Sequence, residues 1–213
     1  MPAVDAKSQP ALGFLTVLEH PQHGLMGGYL VLNSSGRPLE FHCTAPIKPN
    51  RAQQILYGPT LEPYLFGEQI GHALVTKSPA PPLVICTDLR PAMAVRPLVN
   101  APVALVLSEA DPSGENRHGA PAAETPDASQ SALSSAPAET DNLRAPRLRI
   151  DAAHDGRPML QVFQIGRNRL AVPPERDGDR SEILKRLAGF EDLFDLTEPF
   201  GRIREALEEA QRR

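Results

Sequence analysis

Apolar and polar positions fall into short runs over the first hundred residues, and the runs have the lengths of strands and short helices. GFLTVLEH, residues 13–20, is apolar with β-branched members and predicts a strand. PQHGLMGG follows as a turn-rich connection, and GYLVLN, residues 28–33, predicts a second strand. PLEFHCT, residues 38–44, predicts a third. SSGR, residues 34–37, lies between the last two and supplies turn chemistry, because Gly36 can take positive φ. These two strands are therefore expected to form a hairpin.

The pattern then changes. Pro46 and Pro49 in APIKPN forbid regular pairing. Asn50 is placed to cap a helix starting at Arg51, and RAQQILY gives two turns that Gly58-Pro59 stop. Thr60 is expected to cap a second helix over 61–75, with Pro63 tolerated in its first turn. Phe66, Ile70, Ala73 and Leu74 of that helix should share a core face. Leu61, Tyr64, Leu65, Glu68 and His72 should lie opposite. Gly67 and Gly71 lower helix propensity, and close approach of another backbone would explain them. PPLVICTD, residues 81–88, predicts a strand, and residues 92–107 predict one or two more.

From 108 to 145 the chain turns to Ala, Ser, Pro, Glu and Asp without aromatics, which cannot offset the entropy of ordering; a disordered linker is expected. Structure should resume with a short strand over 148–152 and a hairpin over 158–172. A helix over 181–189, capped by Asp179 or Ser181, and a last helix capped by Thr197 should follow. Phe200, Ile203, Leu207 and Ala210 form one stripe on the last helix, whose final Arg212 and Arg213 suit its dipole.

The expected fold class is α+β: an N-terminal antiparallel β-meander with two helices and further strands, plus a C-terminal β-hairpin and two helices. Residues 1–11 read as a flexible leader, 12–107 as the main core, 108–145 as the linker, and 146–213 as elements completing the same domain. Charge sharpens this division. The segment 108–145 holds seven acids against Arg117 and Arg144, a net of −5 in a chain of formal charge −4, so the remainder carries +1. A neutral folded part does not favour nucleic acid as partner. The first residues lack an apolar signal region, and no apolar run reaches membrane-spanning length. Two cysteines make no disulfide framework, and both Cys43 and Cys86 are expected to be reduced, buried packing residues. A cytoplasmic protein follows as the simplest expectation.

Candidate chemistry concentrates between Glu40 and His72. His42 and Cys43, adjacent on a strand, point to opposite faces and cannot form a thiolate–imidazolium pair. His20, His23, His42 and Cys43, with Glu19, are metal-ligand residue types, but H-x-x-H without C-x-x-C is a weak zinc spacing, so no metal or other cofactor is assigned. Lys48, Asn50 and Arg51 surround a helix N-terminus, where an anion or an acidic partner could sit. No glycine-rich phosphate cradle accompanies them. Glu68 and His72 are four apart and could pair. The expected binding surface is therefore His42, Lys48, Asn50, Arg51, Tyr57, Tyr64, Glu68 and His72. It would hold a protein partner or a small anion, and the C-terminal helix is a further candidate for homo-oligomer contact.

Three strands, a helix and an apolar strand ending in an acid, over about residues 13–88, resemble the topology of the ribonuclease-H-like nucleases. That resemblance implies two divalent metals held by carboxylates of the first strand, first helix and fourth strand, where Glu19, Glu68 and Asp88 fall. Glu19 departs from the pattern by lying at its strand's end. The block GGYLVLNSSGRPLEFHCTAPIKPNRAQQILYGPTLEPYLFGEQIG is similar to one in proteins of planctomycete-type bacteria; it implies a bacterial cytoplasmic protein and carries no activity or catalytic residue. Two functions are thus expected: a binding or assembly module using the 40–72 surface, and, as the alternative, a metal-dependent nuclease.

Overall fold

In the computed structural model, residues 10–108, 159–188 and 194–212 are described. The expected linker from residue 109 onward, the strand over 148–152 and most of the leader lie outside them.

The meander forms as its pattern dictates. Strand β1 (Ala11–His20) pairs antiparallel with β2 (Gly24–Asn33) over its full length, from Ala11 opposite Asn33 to His20 opposite Gly24. Strand β3 (Pro38–Cys43) pairs antiparallel with β2 on its other side, and Gly36 takes φ 74° in the turn between them. Strand β4 (Val84–Thr87) then lies parallel to β1, and β5 (Val103–Leu107) parallel to β4. Both are buried at every position, as parallel strands covered on two faces must be. The hairpin of β6 (Gln161–Ile165) and β7 (Asn168–Val172) joins the same sheet through β7 against β5. The strand order is β3-β2-β1-β4-β5-β7-β6. The fold is α+β.

Strand alternation sorts the core into two layers. One face presents Leu15, Val17, Tyr29 and Ile85 to a long helix, α2 (residues 61–77), and to the 3-10 helix Arg90–Leu98. The other presents Phe14, Leu30 and Cys86 to α3 (Asp177–Arg186) and α4 (Glu198–Gln211). Phe14 meets Phe200 edge-on at 5.7 Å, a favoured aromatic geometry. Gly27 and Gly28 let a helix close on each face of β2. A methyl group at Gly27 would lie 2.1 Å from Ile70 Cγ2, and one at Gly28 2.3 Å from Ile203 Cγ2.

Several local expectations are corrected. Residues 92–99, expected as strand, belong mostly to the 3-10 helix Arg90–Leu98; Pro91 and Pro97 remove ladder donors, and the apolar run packs as a buried turn structure. Helix α2 has α geometry at Leu61–Pro63 and His72–Lys77, but Tyr64–Gly71 is a π-helix. The wider turn rotates the faces: Leu65 is buried and Ala73 exposed, the reverse of the 3.6-residue expectation. Thr60 does not cap α2; its hydroxyl donates back to the Tyr57 carbonyl at 2.8 Å. Thr197 does not cap α4, since its hydroxyl and N–H both donate to Asp195 Oδ1. Ala210 is exposed, so the buried stripe of α4 is Phe200, Ile203 and Leu207. Helix α3 starts at Asp177, and Asp179 within it forms an ion pair instead of a cap.

The two thiols separate. Cys86 is fully buried and burial pushes its pKa from 9.0 up to about 12. Cys43, expected to be buried, is exposed because β3 is the last strand of the sheet. An aromatic disulfide reagent is expected to modify Cys43 in the native protein and Cys86 only after unfolding. The same shift sets an alkaline limit. Between pH 9 and 12 the folded thiol keeps its proton while the unfolded one loses it, so stability falls as pH rises through that window. Urea midpoints measured across it check the sign, and Cys86→Ala should flatten the slope.

Candidate functional site

The segment from β3 to α2 shows which of the expected surface residues are free to act. Helix α1 (Arg51–Tyr57) opens with a capping box: Gln53 N–H donates to Asn50 Oδ1 at 2.8 Å, and Asn50 N–H to Gln53 Oε1 at 3.0 Å. Asn50 is thereby spent on the helix. Lys48 is also spent, since its ammonium donates to the carbonyl of Gln22 in the β1–β2 turn. Ile47 bridges to Leu25 by a pair of 2.8 Å backbone hydrogen bonds and fixes the loop against β2. Only Arg51 of the expected cationic group remains in solvent without a described contact. Of the three residues expected to surround an anion, Lys48 and Asn50 thus carry structural hydrogen bonds and Arg51 is exposed.

Tyr57 and Tyr64 do come together. Their rings stack at 4.6 Å and 26° between α1 and α2. The hydrogen bond its hydroxyl donates to Tyr64, then the charge of that neighbour, holds the Tyr57 phenol above its usual value. His42 lies at 3.2 Å from Glu40 Oε2, which also accepts from Ser78 Oγ at 2.7 Å. Glu68 and His72 do not pair. Glu68 lies within the π segment Tyr64–Gly71, and His72 is the first residue after it. Glu68 is exposed, and His72 lines a separate cleft of about 560 Å³ with Val75, Ser78, Pro82 and Asn100.

Pattern reading missed several large apolar side chains that stand in solvent. Helix α1 buries none of its residues, and Ile55 and Leu56 are 67% and 81% exposed. On β3, Leu39 and Phe41 are also exposed. One signal was present: adjacent Ile55 and Leu56 on a two-turn helix point about 100° apart, and no apolar residue one turn earlier except Ala52 gives either a stripe.

The acids of the nuclease resemblance do not meet. Asp88 follows β4 and is bound by Arg204 of α4, on one face of the sheet. Glu68 rises from α2 on the other face, and Glu19 is exposed near the end of β1. His20 and His23 stack at 4.6 Å, but His20 Nδ1 accepts the backbone N–H groups of Gln22 and His23, which uses it as a turn cap. Among the described residues no three His, Cys, Asp or Glu side chains are grouped to hold a metal ion, and no helix is long and apolar enough to cross a membrane. Comparison with protein-family models, curated proteins and solved structures finds no match.

Proposed function

We propose that this chain is a bacterial cytoplasmic binding or assembly module and that α1 with its flanking Arg51 is the part that meets a protein partner. The observation that carries the reading is the exposure of Ile55 and Leu56 on a helix with no buried residue. A seven-residue helix is too short to persist by its own hydrogen bonds. Here the capping box, the Tyr57–Tyr64 stack and the Gly58 turn hold it in place. The fold thus holds two large aliphatic side chains in water at a fixed orientation, which suits anchors for an apolar pocket on a partner. A protein fits better than a small anion, because Lys48 and Asn50 are already engaged.

The nuclease reading keeps one support, the parallel placement of β4 beside β1 with Asp88 at its carboxyl end. The separation of Glu68 from Asp88 across the sheet weighs against it.

The test places a photo-crosslinking side chain at Leu56 and, as control, at exposed Lys185 of α3. A discrete covalent adduct with another protein is expected at position 56 alone. The purified partner should then bind wild type and lose at least tenfold affinity for Ile55→Asp/Leu56→Asp. That variant should melt like wild type, within about 0.5 kcal/mol, since both side chains are already in water. Equal adducts at both positions, or unchanged affinity of the variant, would sink the reading.

A further inference from the structure

We propose that β3 is a self-association edge, on which a second copy of this chain pairs antiparallel about a two-fold axis at Phe41. Among the described residues β3 pairs with β2 alone, and its outer edge carries backbone groups with no ladder partner. A bulge opposite Val31 and Leu32 shifts only the start of the strand and leaves residues 40–43 in regular register.

The hydrogen-bond phase selects the axis. Thr44 N–H donates to Gly27 O at 3.0 Å. Antiparallel ladders alternate, so His42 and Glu40 turn their N–H and C=O groups toward β2, while Phe41 and Cys43 turn theirs outward. An antiparallel second strand can therefore bond Phe41 to Phe41 of the second copy through both N–H and C=O groups. This register sets Glu40 opposite His42 of the second copy, and His42 opposite its Glu40, at the closely spaced, non-hydrogen-bonded positions. The neighbouring register about His42 would oppose two imidazoles and lose both carboxylate contacts. The sequence Glu-Phe-His is thus self-complementary in charge about its own centre.

The side chains agree with that geometry. Both described contacts of Glu40 are on Oε2, and its side chain and that of His42 keep 20% and 27% exposure. On the opposite face, the half-exposed Phe41 would meet its symmetry mate as a cross-strand aromatic pair. A single short strand buries little area, so the dimer belongs to the weak, concentration-dependent class. This contact involves no residue of α1 and stands apart from the partner site proposed above.

Sedimentation of the full chain over a range of concentrations should show a monomer–dimer equilibrium. Phe41→Lys should abolish it, with a melting curve as cooperative as wild type. Glu40→Lys alone opposes lysine to histidine twice, and His42→Glu alone opposes two carboxylates twice, so each should be monomeric. Mixed in equal amounts they should form a heterodimer, because one contact becomes Lys–Glu and the other remains His–Glu. A wild type that is monomeric throughout, single variants that dimerise as wild type does, or a mixture that stays monomeric would each overturn the proposal.

Discussion

Asp179→Ala should lower the melting temperature by about 6–12 °C, the largest loss expected from any single charge removal in this chain. Arg96 donates to Asp179 through Nε at 2.6 Å and Nη2 at 2.7 Å, a bidentate pair in which Asp179 is 8% and Arg96 20% exposed. The hydrogen bonds it donates to Asp179 hold the Arg96 guanidinium above its usual value against the opposing effect of burial. Arg96 stands on the 3-10 helix of one layer and Asp179 on α3 of the other, so the pair ties the two layers that sandwich the sheet. Truncation leaves a largely buried cation with only the Val99 carbonyl to accept from it. Breaking such a pair costs about 3–5 kcal/mol, and the partial exposure of Arg96 places the cost near the lower end. An exposed ion pair would contribute at most about 1 kcal/mol, so the size of the loss decides between the two descriptions. Thermal unfolding of Asp179→Ala beside Arg96→Met/Asp179→Leu makes the comparison. The double variant should recover most of the loss, because neither charge is left behind. A single variant melting within about 2 °C of wild type would show that the pair is solvated and structurally idle.

Asp179 also shows where the sequence stops being legible. An acid near a helix start reads as a cap, and nothing local distinguishes it from a residue reaching 83 positions back to Arg96. Lys48 is a second case. Its type suggested an anion contact, and nothing local pointed to the Gln22 carbonyl to which its ammonium donates. What could be read was what is set locally: the β2–β3 hairpin around Gly36, the box opened by Asn50, the alternation that buries Phe14 and Leu15 on opposite faces. The run at 92–99 was ambiguous for a physical reason, since a short apolar run fits strand and buried turn alike until its neighbours choose. The exposure of Ile55, Leu56 and Phe41 was hidden by the opposite bias, that apolar side chains are presumed inside.

Gly67→Ala should destabilise the protein by about 2 kcal/mol or more, although alanine is the better helix former. Two effects of opposite sign compete. Replacing glycine in a helix interior gains up to about 1 kcal/mol from propensity alone. Against this, the new methyl would lie 2.6 Å from Ala94 Cβ, 2.6 Å from Val95 N and 2.7 Å from Ala94 C. Two of those three atoms are backbone, which cannot rotate away as a side-chain tip can. Overpacking of a close contact costs about 1–3 kcal/mol and occasionally more, and rigid neighbours put this site at the upper end. The contact lies inside the π segment Tyr64–Gly71, where α2 presses on the 3-10 helix Arg90–Leu98. Close approach of another backbone, the reason a glycine was expected there, is what the geometry supplies. Gly201→Ala on α4 is the matched control: a methyl there meets nothing within 4 Å, so only the propensity gain remains and stability should rise. Urea unfolding of the two variants reads both signs in one experiment. If Gly67→Ala is as stabilising as Gly201→Ala, the helices are not in backbone contact and the π turn has another cause. If it unfolds at lower urea with Tyr57 and Tyr64 no longer stacked, the seat of α1 depends on that contact, and so does the placement of the exposed Ile55 and Leu56.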